Sequence, residues 1–152
     1  MTIRILIDAH ACPVKDEVYK VALRHKVPVV VVSNSPIRVP QSTLISRKVV
    51  SDAFDAADDW IVEQTDPGSV VITADILLAD RCLKLGANVV APNGKPFTTA
   101  SIGGAIATRA IMADLRAGGD IVGGPPPFGK QDRSRFLSTL DEVLVRLLRT
   151  MR

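Results

Sequence analysis

Asp8 closes the apolar run ILID, and Asp75 closes a second one, VITAD, five residues ahead of Asp80. Asp55, Asp58 and Asp59 have the i, i+3, i+4 spacing that puts side chains on one face of a helix. Residues 52–80 hold Asp52, Asp55, Asp58, Asp59, Glu63, Asp66, Asp75 and Asp80, half of the 16 acids, and not one Lys or Arg. Carboxylates gathered closely are costly unless a cation binds among them, and an oxygen-rich, hydrated set is what Mg²⁺ or Mn²⁺ takes. Such an ion lowers the pKa of a bound water, orients it and neutralises charge growing on a phosphoryl oxygen. The chemistry on offer is metal-assisted phosphodiester hydrolysis, with Asp8, Asp58, Asp75 and Asp80 as the catalytic, metal-holding set and Asp55 and Asp59 as alternate ligands. Each acid also has a structural reading. Asp75 and Asp55 can be N-caps, and Asp58 and Asp59 can complement a helix dipole. Asp8 has no helix dipole beside it if the following helix starts at Pro13, and it reads as functional.

The elements around these acids form an alternating series. Residues 3–7 and 27–32 are short, nearly continuous β-branched runs, the pattern of strands buried on both faces. Between them Val14, Val18, Val21 and Ala22 have helical spacing, with Pro13 suited to the first helical position. Residues 33–46 are polar and broken by Pro36 and Pro40, so they read as a loop, followed by a short strand over 48–51 and an acidic helix over 55–65. Pro67 and Gly68 stop that helix; a strand at 70–73, a helix at 76–85 closed by Gly86, and a strand at 88–91 follow. The turn Pro92-Asn93-Gly94-Lys95 reads as a hairpin tip, and a helix over 101–117 comes next. A Gly/Pro-rich connection within 113–130 leads to a last helix over 131–151, with Phe136, Leu140, Val143, Leu144 and Leu147 on its apolar face. Strands alternating with helices predict one α/β domain over 1–152, a doubly wound parallel sheet whose ligands gather at the carboxyl ends of the strands.

At 152 residues and 47% hydrophobic, the chain suits a single domain with its own core. No apolar run is long enough to span a bilayer, and Asp8 interrupts the start before a secretory core could form, so a cytoplasmic protein is expected. Cys12 and Cys82 lack the paired spacing of a zinc site and are expected reduced. The net charge is +3, yet the acids are concentrated in the centre; an acidic centre in a basic body fits an enzyme that holds cations and attracts a polyanion.

The segments DAHACPVK (8–15), FDAADDWI (54–61), VITADILLAD (71–80), and GGPPPF followed by DRSRF (123–136) resemble the YaiI/YqxD family of small bacterial proteins over essentially the whole chain. That resemblance implies a PIN-like nuclease fold, with acids at strand ends binding Mg²⁺ or Mn²⁺ to hydrolyse RNA or DNA, RNA before DNA. By motif it assigns Asp8, Asp75 and Asp80 to acid positions and sets Asp55 and Asp58 where the middle acid falls, with Asp59 the weaker match. The family pattern opens Asp-Ala-Asp-Ala-Cys-Pro, and His10 replaces its second acid here. Histidine at that position either ligates metal and moves protons or stands outside the metal site.

Lys15 on the first turn after Asp8, Arg38 in the proline-punctuated loop, and Lys130 and Arg133 beyond the Gly/Pro segment are candidates, with His10, to meet substrate phosphates. Each basic residue can equally be a solvated surface charge. Cys12 reads as packed or capping, and Phe128 as pinning the Gly/Pro strap to the body. Aromatics make up 4% of the chain, too few to write base stacking into the composition. Two rival readings use the same acids: a phosphatase in which Asp8 attacks phosphorus and His10 is the general acid, and a nucleic-acid-binding module without catalysis. Oligomeric state is not written in the sequence.

Overall fold

The β-branched runs become strands of one sheet because every second side chain meets a different layer of helices. The structure is a computed structural model that describes residues 2–10, 12–119 and 128–151. The strands are β1 (Arg4–Asp8), β2 (Val29–Ser33), β3 (Ile45–Val49), β4 (Ser69–Ile72), β5 (Asn88–Val90) and β6 (Pro96–Phe97). They lie in the order β3-β2-β1-β4-β5-β6, parallel throughout except for β6, which runs antiparallel to β5.

On one face Ile5, Ile7, Val29, Val31, Val70, Ile72 and Val90 pack with α1 (Lys15–His25) and the long α5 (Lys130–Thr150), whose Phe136, Leu140 and Leu144 are fully buried. On the other, Leu6, Val32, Val71 and Val89 meet α2 (Ala56–Gln64), α3 (Ile76–Lys84) and the first turns of α4 (Ile102–Ala117). Adjacent residues of one strand therefore serve opposite cores, which is why these strands read as unbroken apolar runs. The expected doubly wound, PIN-like α/β fold is what forms. Among the described residues no helix is long and apolar enough to cross a membrane.

Strand order reverses between β1 and β4, the topological switch point at which ligands of such sheets gather. The register there sets Ile7 opposite Ile72, so Asp8 comes opposite Thr73 just past the end of β4. The two acid-tipped strands are neighbours.

Two local expectations are corrected. The strand expected over 48–51 starts earlier, at Ile45, and only that residue is buried. As an edge strand it carries Ser46, Arg47 and Lys48, polar residues that blunt an open edge and hide the strand from a hydrophobic pattern. Residues 113–117 belong to α4 rather than to the Gly/Pro connection. The Gly-Gly-Pro-Pro-Pro stretch at 123–127, and with it the expected strap, lies outside the described residues; Phe128 packs on the α1/α5 core.

The expected hairpin forms, and its tip is clamped. Gly94 has φ +85°, and a Cβ there would stand 2.6 Å from the Arg135 carbonyl carbon on α5. Thr139 Oγ1 donates to the Gly94 carbonyl at 2.8 Å. Only glycine allows so close an approach with that backbone.

Candidate active site

Asp8 is 6% exposed, and its carboxylate accepts from Thr73 Oγ1 at 2.8 Å and from the His10 backbone N–H at 3.2 Å. Thr73 Oγ1 in turn accepts from the Asp75 backbone N–H at 3.0 Å. One buried hydroxyl thus ties the two acids that end β1 and β4. Asp75 caps α3 through Oδ1, which accepts from Leu77 N–H at 2.9 Å and Leu78 N–H at 3.2 Å. The N-cap reading is correct for Asp75, and it leaves the second oxygen without a hydrogen bond among the described residues.

Asp58 enters from the first turn of α2. Burial, followed by the negative charges of Asp75, Asp8 and Asp55, pushes its carboxyl up to about 6, against a smaller opposing pull from Arg81. Burial also raises Asp8, the hydrogen bonds from Thr73 and His10 opposing it. Asp8, Asp58 and Asp75 therefore feel one another's charge, as groups at a shared cation site do.

These three line an open cleft of about 1080 Å³ with Asp52, Asp55, His10, Phe54, Leu77, Arg81 and Arg109. Asp55 is exposed at φ 66°, a left-handed conformation that aspartate tolerates, and it makes no side-chain cap. His10 is exposed at the rim and touches Asp8 only through its backbone.

The remaining expected site residues are placed elsewhere or otherwise engaged. Asp59 forms a 3.0 Å ion pair with Arg81. Asp80 pairs with Lys84 at 3.0 Å and is not part of the cleft wall. Five residues at about 100° each turn it about 140° from Asp75 around α3, and its i+4 neighbour is a lysine. Lys15 Nζ donates to the Cys12 carbonyl at 2.9 Å. Arg133 donates to Glu17 and to the Pro13 carbonyl and lies over the Phe128 ring, and neither it nor exposed Lys130 lines the cleft. Arg38 lines a shallow groove with Arg47 and Pro40, and this groove shares Pro36 and Ile37 with the cleft wall.

Sequence reasoning missed Thr73, Arg81, Arg109 and Phe54. A signal for Arg109 existed: it is the single charged residue between Lys95 and Asp114. It makes no ion pair among the described residues.

The carboxylates suit Mg²⁺ or Mn²⁺ in type, since they offer oxygen donors in an open cleft. No three His, Cys, Asp or Glu side chains among the described residues stand close enough to hold one ion as they lie. The fit is to an open site, of the kind in which Mg²⁺ keeps several waters and takes one or two carboxylates plus substrate phosphate.

The Thr73 hydroxyl yields a test of this architecture. Thr73→Val keeps the shape and leaves a buried carboxylate short of a donor, so a loss of about 1–3 kcal/mol is expected in urea unfolding at pH 7.5. An unchanged midpoint would show that the Thr73 link carries no energy.

Comparison with known proteins places these residues in context. Residues 6–146 match a family model described as "Uncharacterized BCR, YaiI/YqxD family". The UPF0178 protein of Sphingopyxis alaskensis is 70% identical over 146 residues, covering 95% of each chain. A UPF0178 protein of Bradyrhizobium diazoefficiens is 59% identical, covering 96% of this chain and 87% of its own length. Another from Rhodopseudomonas palustris strain TIE-1 is 58% identical, covering 96% and 92%. No solved structure matches the chain.

Proposed function

This chain belongs to the YaiI/YqxD family, and we propose that its acidic cleft is the active site of a cytoplasmic, metal-dependent nuclease acting on RNA in preference to DNA. The observation that carries this reading is the convergence of Asp8, Asp75 and Asp58 on one open cleft at the switch point of a parallel sheet. One or two carboxylates among Asp8, Asp58 and Asp75 would hold Mg²⁺ or Mn²⁺, with water and substrate phosphate completing its shell. When bound, the ion supplies an activated water and neutralises charge on the phosphoryl oxygens.

The chain's own residues account for the rest. Thr73 fixes the Asp8 carboxylate against the start of α3, so the acids do not have to be ordered when substrate arrives. Arg109 and Arg81, on the wall opposite in charge to five aspartates, offer donors to backbone phosphates. The groove bearing Arg38 and Arg47 continues from the cleft and gives a strand a basic path. The phosphatase rival fits less well: the Asp8 oxygens already accept hydrogen bonds, which blunts a nucleophile.

The reading is tested by titrating metal-stripped protein with Mn²⁺ by calorimetry, beside an Asp8→Asn/Asp75→Asn double variant shown folded by circular dichroism. Saturable binding that the double variant loses, with Mn²⁺-dependent cleavage of a single-stranded RNA, supports it. No binding by the native protein even with RNA present overturns it in favour of a non-catalytic binding module.

Arg109 carries its own expected result. Arg109→Ala should raise KM for RNA about fivefold to tenfold at low salt with kcat kept, and lower the slope of affinity against salt by about one counterion. An unchanged salt slope would remove Arg109 from the phosphate path.

A further inference from the structure

Phe54 is 94% exposed, whereas the other exposed large apolar side chains lie between 42% and 59%. Its ring belongs to neither core and to no cation–π contact among the described residues. The backbone that presents it is nonetheless fixed. Ala53 N–H donates to Ser51 Oγ at 3.4 Å, Ala56 N–H donates to the Ala53 carbonyl at 3.1 Å, and Asp55 takes the left-handed conformation that turns the chain into α2. A ring held in water by an ordered turn contributes nothing to folding, and it stands on the wall of the acidic cleft, where half-exposed Leu77 adds a second apolar surface.

We propose that Phe54 is a stacking platform for an unpaired nucleobase, so that the cleft takes single-stranded nucleic acid rather than duplex. The inference rests on the nuclease reading of the cleft and names the substrate class for it. Every base has a flat π-face that an exposed aromatic ring can cover without regard to sequence, and a duplex keeps those faces stacked on each other. The charges agree with a split role. Asp52 and Asp55 flank Phe54 and repel phosphate but not a neutral base, while Arg109 and Arg81 on the same cleft attract the backbone. A chain with 4% aromatics needs only one such ring, provided it stands where the strand passes.

The test is fluorescence anisotropy with a labelled single-stranded RNA 12-mer and the corresponding duplex, in Mg²⁺. An Asp75→Asn background, which retains the α3 cap, keeps the strand whole, and intactness is checked on a gel. Phe54→Ala should weaken single-strand binding about 5- to 150-fold, the range of base–aromatic stacking. Phe54→Trp should restore it, with the new indole fluorescence quenched on binding, and the salt slope should not move. Equal affinity of Phe54→Ala and its parent, preference for the duplex, or no binding of either RNA overturns the inference. So does an unchanged RNA affinity with a sedimentation shift from dimer to monomer, which would assign Phe54 to contact with a second copy. Cleavage that persists in the Asp75→Asn background strikes the nuclease assignment of Asp75 instead and leaves the stacking result to be read separately.

Discussion

Asp8→Asn or Asp75→Asn is expected to lower metal-dependent RNA hydrolysis about a thousandfold, equivalent to about 4 kcal/mol of transition-state stabilisation. The size follows from what is removed: a full negative charge from a site whose acids already act on one another. The two variants should differ in stability. The side-chain amide of Asp75→Asn retains an oxygen able to accept from Leu77 and Leu78, and asparagine is as good an N-cap as aspartate. The amide of Asp8→Asn must fill a buried position where both carboxylate oxygens accept, so its NH₂ group fits only if the Thr73 hydroxyl turns to accept, which leaves that buried hydroxyl proton without its partner. Single-turnover cleavage of a labelled RNA, with thermal unfolding of each variant, separates these effects. Activity within tenfold of native in a folded Asp75→Asn protein would remove that carboxylate from the chemistry.

The second large effect is on pH. A carboxyl pushed up to about 6 must lose its proton before it can face a cation. Mn²⁺ affinity should therefore be level above pH 7, fall about tenfold by pH 5 and about a hundredfold by pH 4. Metal-free stability should run the other way. Between the ordinary value of 3.8 and about 6 the folded protein keeps on Asp58 a proton that the unfolded chain releases, so stability declines as pH rises through that window and then levels. Asp58→Asn removes the penalty and should stabilise the metal-free protein at pH 7.5 by about 1–2 kcal/mol, allowing for solvent screening of a partly exposed group. The gain should vanish below pH 4. Calorimetry across pH and thermal unfolding at pH 7.5 and 3.8 check the pair, and a destabilised Asp58→Asn protein at neutral pH would contradict the account. A residue that costs stability where it ionises fits a functional carboxylate rather than a dipole partner.

How legible all this was depended on which force placed each residue. Strands β1, β2, β4 and β5 were readable because both their faces are buried, and so were the helices between them, whose bounds moved by a residue or two. The outer strand β3 was misplaced because a polar edge leaves no hydrophobic signature. At the site, Asp8 and Asp75 could be anticipated from strand ends alone, but their adjacency could not, since it is decided by strand order. Asp80 was drawn in by spacing along the chain, while the rotation of α3 carries it to Lys84. Arg109 and Phe54 come to the cleft through tertiary packing; Arg109's isolation among apolar and small residues marked it without saying where it goes, and the acids around Phe54 gave local pattern little to work on.

The hydroxyl shared between Asp8 and the start of α3 also bears on how such a chain can change over evolutionary time. The separation of the two acids is set by the register of β1 on β4, not by any surface loop or by the outer faces of the helices. Helix surfaces away from the cleft and its basic groove are free to drift, whereas a substitution that slides β1 one residue against β4 would part the acids at a stroke and turn every buried side chain of the strand to the wrong core. Variation among relatives should accordingly pool on the outer helix faces and thin out sharply at Ile7, Asp8, Ile72, Thr73 and Asp75.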